Sequence, residues 1–169
     1  MGIVIHGFPS LKLIERLTEI DSIVAMKEEF DYDFTAQIYR RLGDRLNIFA
    51  GGTKSRFLLY QPHGMHAYYS IFATFAPKIA IDFWTAVKGD DINAAKGIVA
   101  KYDLPLFEHF SNSFWRATLE YFGVAKRYLR APEKPFSDSQ FRELKRFYDG
   151  LRLTPSKQSA RTLAAGCCA

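Results

Sequence analysis

A chain of 169 residues with 48% apolar and 15% aromatic side chains is long and apolar enough to bury the core of one domain, which excludes a disordered polypeptide. Its two cysteines, Cys167 and Cys168, are adjacent in an Ala-rich tail; they neither staple a fold nor complete a zinc site, and a reducing, cytoplasmic setting is expected. The formal charge of +5 owes three units to Arg152, Lys157 and Arg161, beyond the last acidic residue, Asp149; the body interleaves both signs as a solvated surface does, so no nucleic-acid partner is expected.

The first residues, Met1 to His6, lack the basic start and long apolar run of a signal peptide. The greasiest stretch, Ile71 to Ile81, is interrupted by Thr74 and Pro77-Lys78 and is too short for a bilayer, so no membrane partner is expected either. Ile3-Val4-Ile5 reads as a buried strand stopped by Gly7 and Pro9, and Leu11 to Ile20 carries apolar residues at helical spacing. Ser22 to Met26 is a second strand, apolar enough to be covered on both faces, as parallel strands under helices are. The cycle repeats with a helix over Phe34–Leu42 capped by Asp33, a strand over Leu46–Ala50 closed by Gly51-Gly52, and a helical turn from Ser55 to Gln61 before Pro62. A fourth strand is expected over Ala67–Ala73, and then a helix from Pro77 to about Val87. Strands spaced about 20–23 residues apart fit βα units.

From Asp90 the strand patterns stop. Ile92 to Tyr102, Leu106 to Phe122 and Phe141 to Phe147 read as helices, broken by Pro105, Gly123 and the Pro132–Pro135 segment. The expected layout is four βα units over residues 1–89, a helical extension over 90–153 and a frayed tail over 154–169. Four parallel strands fit either a small doubly wound domain or half of an eight-stranded barrel. Opening directly on a buried-type strand favours the half-barrel, since that strand calls for an equally apolar neighbour on its other side.

Lys27 ends the apolar run Ile23-Val24-Ala25-Met26. At the C-terminal end of a barrel strand it would be buried on the active-site face, where a desolvated amine can attack a carbonyl and form a Schiff base. The plainer alternative is a lysine that ends a strand and points to solvent. Gly51-Gly52 lets backbone approach a small ligand, with amides to hold a carboxylate, or simply makes a turn. Neither Gly7 nor this pair sits in a dinucleotide fingerprint, and Gly51-Gly52-Thr53-Lys54-Ser55 lacks the phosphate-loop spacing. His63 and His66 have no third ligand nearby in sequence, so no metal is expected, and His109 reads as a helix-surface residue. His6, at the end of the first strand, shares the face of Lys27 and is placed to shuttle a proton.

Five segments in order resemble the C-terminal half of the dihydrodipicolinate synthase/N-acetylneuraminate lyase family of Schiff-base aldolases and dehydratases: Ile3 to Pro9, Ile23 to Glu28, Phe49 to Gly52, Tyr69 to Pro77, and Leu129-Arg-Ala-Pro132 after a late helix. The resemblance spans roughly residues 2 to 153. It implies an α/β fold, a partial TIM (β/α)8 barrel holding the equivalents of strands five to eight with a C-terminal helical extension. It matches Lys27 to the imine-forming lysine of the sixth strand, Gly51 and Gly52 to the pocket-lining seventh, and Tyr69 and Ser70 to the eighth-strand position facing the bound keto acid. No cofactor is implied. Three departures stand out: His6 falls where the family has its catalytic tyrosine, Ala67 where it has a glycine and Thr74 where it has an asparagine. They point away from the lysine-biosynthesis activity, and Tyr69-Ser70…Phe75…Pro77…Asp82-Phe83-Trp84 is most similar to the keto-deoxy-glucarate dehydratase branch.

The resemblance also implies an absence, since the family's first four strands have no counterpart here. A class I lyase acting on a 2-keto acid or keto-deoxy sugar acid is therefore expected to be incomplete as this chain, with either a second copy or a missing N-terminal half-barrel as partner. The alternative is a catalytically inactive fragment whose helices serve self-association.

Overall fold

The computed structural model describes residues 9–155, which divide into two compact units, one through Ser70 and one from Ile71. The expected strand at Ile3–Ile5, His6 and the tail from residue 156 lie outside the described residues. The expected boundary at 89/90 falls within the second unit.

In the first unit, α1 (Leu11–Leu17) starts at Ser10, whose hydroxyl accepts the Leu13 amide, and ends in a turn in which Ile23 N–H donates to Ile20 O. That turn displaces the second expected strand. The carbonyls of Ile20 and Ile23 are taken by the Arg45 guanidinium, so regular pairing begins later and β1 spans Ala25–Glu28 instead of Ser22–Met26. Helix α2 (Tyr32–Leu42) is capped by Asp31, whose carboxylate accepts the Phe34 amide at 2.9 Å; the expected cap, Asp33, sits in the first turn. Strand β2 (Asn47–Ala50) lies parallel to β1, with Ala25 opposite Asn47 and Lys27 opposite Phe49.

Side chains alternate across a strand with period two. Met26 and Ile48 therefore turn toward a core of Ile14, Ile38, Leu42 and Leu46, supplied by α1, α2 and the segment leading into β2. Ala25, Lys27 and Asn47 turn the other way and are exposed. The expectation that β1 is covered on both faces does not hold among the described residues: helices cover one face, and Ala25 and Lys27 on the other are exposed.

Helix α3 (Lys54–Tyr60) and a 3₁₀ turn (Gln61–His63) lead to the fourth expected strand, which is also corrected. Ala50 makes a parallel bridge to Tyr68, through Ala50 N–H to Ala67 O and Tyr69 N–H to Ala50 O, and the pairing stops there. Gly52, in the left-handed region at φ 70°, turns the partner chain away, and residues Ile71–Thr74 form a 3₁₀ turn. The described sheet has two strands.

The second unit is helical: α4 (Pro77–Lys88), α5 (Ile92–Ile98), α6 (Leu104–Glu108), α7 (Asn112–Tyr121) and α8 (Asp138–Gly150). Pro105 does not break the chain where expected. A π turn over Val99–Asp103 carries α5 into α6, with Leu104 N–H reaching back to Val99 O, and this wider turn accommodates the missing proline N–H. The break falls instead between α6 and α7, where Ser111 adopts an extended conformation and caps α7 through Phe114 N–H. Helix α8 begins three residues earlier than expected because Ser137 and Gln140 form a capping box.

These helices enclose an aromatic core built on Phe72, Phe114, Phe122 and Tyr148, with Ile79, Leu106 and Leu144. Phe75 lies 4.7 Å from Phe122 and 6.0 Å from Tyr148 between ring centroids. One polar thread crosses this core. The Thr118 hydroxyl spends its proton on Phe114 O at 3.0 Å, so it must accept from the Tyr148 phenol at 2.8 Å. Burial pushes that phenol above its ordinary range and keeps its proton in place. No helix among the described residues is long and apolar enough to cross a membrane.

Replacing buried Phe72 by Ala should lower stability by about 3–5 kcal/mol, and Tyr148→Phe, which removes one buried hydrogen bond, by about 1 kcal/mol. Urea unfolding read by tryptophan fluorescence measures both; equal losses would contradict this division between packing and hydrogen bonding.

Candidate active site

Lys27 is the penultimate residue of β1, and its neighbour across the ladder, Phe49, lies two residues before Gly51. It is not buried: its side chain is 44% exposed. The cause is local. The open face of the sheet offers no helix to cover it, and Gly51 contributes no side chain. A Cβ placed on Gly51 would fall 2.5 Å from Lys27 Cε and 2.0 Å from Glu29 Oε1, so the glycine leaves the space these two side chains occupy. Lys27 Nζ pairs with Glu29 Oε1 at 2.8 Å and lies 5.0 Å from the centroid of the Tyr69 ring. The ammonium is held between a carboxylate and an aromatic face.

Glu28 points the opposite way, as the strand period requires, and is fully buried. Its Oε1 accepts from Phe30 N–H and from the Thr35 hydroxyl, and the Arg56 guanidinium stands 3.5 Å away while also donating to Phe30 O. Oε2 has no hydrogen-bond partner among the described residues. Burial raises the Glu28 carboxyl above its ordinary value of 4.5, against the opposing pull of Thr35, Arg56 and the Phe30 amide; the Glu29 charge adds to the rise. Tyr39 donates to Ile48 O at 3.0 Å, and its phenol is pushed well up by burial, by the Glu28 charge and by Tyr60. Together these groups tie the turn after β1 to α2 and α3 and so fix where Lys27 and Glu29 emerge.

The structure therefore brings together Lys27, Gly51 and Tyr69 of the expected site. Gly52 lies at the rim, with open space where a side chain would be. Of the two glycine amides expected to hold a carboxylate, that of Gly51 is already committed, donating to Glu28 O at 3.0 Å. The Ser70 hydroxyl is buried and makes no hydrogen bond among the described residues. His63 belongs elsewhere: its Nε2 meets the Tyr32 hydroxyl at 2.9 Å, and Tyr32 stacks on Tyr60. His109, exposed at the end of α6, stacks on Phe114 beside a recess of about 270 Å³ in the second unit. No group of three or more metal-ligating side chains lies together among the described residues.

Sequence reasoning passed over Glu29, Arg56 and Lys54, the last buried at the start of α3. The period-two rule carried two residues on from Lys27 points to Glu29. No spacing pattern points to Arg56 or Lys54.

Parallel βα units with helices on one face, a lysine near the C-terminal end of one strand and a glycine pair ending the next define an α/β protein. The family is settled by the sequence: the model of the dihydrodipicolinate synthetase family matches residues 9–149, and the chain belongs to that family. Among curated relatives, a protein of Ralstonia nicotianae named "Probable 5-dehydro-4-deoxyglucarate dehydratase" is 27% identical over 158 residues, covering 85% of this chain and 51% of the relative. One of the same name from Pseudomonas savastanoi is 31% identical over 100 residues, covering 57% of this chain and 33% of the relative. Among solved structures, dihydrodipicolinate synthase from Aquifex aeolicus aligns with a TM-score of 0.69 at 19% identity, covering 86% of this chain and 50% of that one. N-acetylneuraminate lyase from Proteus mirabilis aligns at 0.68 and 12% identity, covering 85% and 51%. The structural likeness is one of fold, and the chain spans about half the length of the first of these relatives and of both structures.

The raised Glu28 carboxyl carries a pH signature. The folded state binds this proton more tightly than the unfolded chain, so the stabilisation is complete below 4.5 and is lost as pH rises through the raised value. Glu28→Gln keeps an acceptor oxygen for Phe30 and Thr35 and removes the titration. Urea midpoints followed by circular dichroism should fall with rising pH in this window for the wild type and fall less for the variant; parallel curves would refute the assignment.

Proposed function

We propose that this chain carries the imine-forming half of a class I Schiff-base lyase, an aldolase or dehydratase of the dihydrodipicolinate synthetase family that acts on a 2-keto acid or keto-deoxy sugar acid. The observation that carries the reading is the seat of Lys27: at the C-terminal end of β1, over Gly51 and against Tyr69, on the face the helices leave open. That face is the interior of the half-barrel the family resemblance implies. Lys27 attacks the substrate's C2 carbonyl, and the resulting protonated imine withdraws electrons so that a proton or a carbon fragment can leave C3. The imine is its own electron sink, so the mechanism calls for no metal or cofactor.

Gly51 and Gly52 form the wall that admits the planar keto acid. Tyr69 covers the amine, and Ser70, whose buried hydroxyl has no hydrogen-bond partner among the described residues, is the proposed contact with the keto acid. His6, outside the described residues, is the proposed stand-in for the family's tyrosine. The dehydratase name of the relatives above favours a keto-deoxy sugar acid that loses water. Partner groups complete the site, supplied either by a second copy of this chain or by an N-terminal half-barrel. The half-length match also favours a second reading, a catalytically inactive fragment retained for self-association.

Two measurements separate these readings. Incubation with pyruvate and borohydride, followed by peptide mapping, should place a reduced adduct on Lys27 and none on the Lys27→Arg variant; an unmodified Lys27 in folded protein favours the inactive fragment. Light scattering behind a sizing column should give a mass above the 19.4 kDa chain, together with no turnover of 2-keto acid by the chain alone, although the imine still forms. A sharp 19.4 kDa monomer with lyase turnover would overturn the half-barrel reading.

A further inference from the structure

We propose that Glu29 is the proton carrier for imine formation at Lys27, an inference that rests on the lyase reading above. Two independent features of the structure lead to it. The Glu29 carboxylate is the nearest base to the amine, with Oε1 at 2.8 Å from Nζ, and it is 54% exposed, so substrate can reach it. A Cβ on Gly51 would meet Lys27 Cε and Glu29 Oε1 where they now stand, so the glycine leaves the pair the space it occupies. Among the described residues the other groups around the amine do not compete. Tyr69 presents its ring face to Nζ, Glu28 lies on the opposite side of the strand with Thr35 and Arg56, and the Gly51 amide is committed to Glu28 O.

The protons balance through this one carboxylate. Glu29 takes a proton from the Lys27 ammonium, and the freed lone pair attacks C2, forming the C–N bond while the carbonyl π pair moves to oxygen. Glu29 returns the proton to that oxygen and then removes a second proton from nitrogen, leaving the neutral carbinolamine. It delivers this second proton to the hydroxyl, which departs as water while the nitrogen lone pair closes the C=N bond. Of the three ammonium protons, two leave in water and one stays on the protonated imine, and Glu29 ends ionised as it began. Glu29 already touches the reacting nitrogen.

The test is the rate at which the full-length chain forms the pyruvate adduct on Lys27, sampled by borohydride quenching and peptide mass mapping, for wild type, Glu29→Gln and Glu29→Ala. Removing a general acid–base group should slow the adduct by about 10²-fold. Acetate or formate in solution should restore the rate of Glu29→Ala in proportion to its concentration, which a purely structural role would not allow. Gly51→Ala, which displaces the pair without touching either carboxylate or amine chemically, should slow it too. Far-ultraviolet circular dichroism checks that each variant is folded. Equal rates in wild type and Glu29→Gln would overturn the proton-carrier assignment and leave the lyase reading standing. A slowed Glu29→Ala that no added acid rescues would overturn it as well. No adduct on Lys27 in the wild type would overturn both.

Discussion

Parallel pairing of β1 with β2 is the constraint on which the rest of the first unit depends, because it sets the register that sends alternate side chains to opposite faces. Lys27 opposite Phe49 faces one way, and Met26 and Glu28 opposite Ile48 and Ala50 face the other. A slip of one residue would bury the lysine among Ile38, Leu42 and Leu46 and expose the hydrophobic row. Register is held by two anchors on the helix-covered face: the apolar core and Glu28, whose buried carboxyl is locked by Thr35, Phe30 N–H and Arg56.

A fully buried carboxyl with one oxygen unpartnered among the described residues is expensive to maintain, since burial favours its neutral form. What it secures is the exit of the chain from β1. The turn at Glu29 to Asp31 is anchored to α2 by the Asp31 cap and to α3 by Arg56, so the Lys27–Glu29 pair leaves the sheet at a fixed angle. The ion pair itself, half in solvent, adds little stability. Its interest is chemical, since it places an acceptor beside an amine.

The second unit is stabilised by different means. Aromatic rings from the Ile71–Phe75 segment, the π turn, α7 with its cap Phe122, and α8 interlock at centroid distances of 4.7 to 6.3 Å, and the Tyr148–Thr118 bond fixes one arrangement among several that the rings alone would permit. Continuity of α5 into α6 runs through a π turn just ahead of Pro105, which lies in the first turn of α6.

Much of this was legible in the sequence because it is local. The helical spacing of Leu11 to Leu17, the proline opening α4, the strand Asn47–Ala50 closed by two glycines, and the lysine at a strand end all follow from neighbours a few residues apart. Tertiary structure decided the rest. The start of β1 moved because Arg45, some twenty residues away, took the carbonyls of Ile20 and Ile23. The fourth strand shrank to a bridge because Gly52 turned its partner away. Lys27 emerged exposed because burial is a property of what lies across a face, and periodicity says only which residues share that face. Glu28 and Glu29 are adjacent and chemically identical in sequence; the fold gives one a closed site where burial raises its carboxyl and the other an amine at 2.8 Å, because a strand sends them to opposite sides.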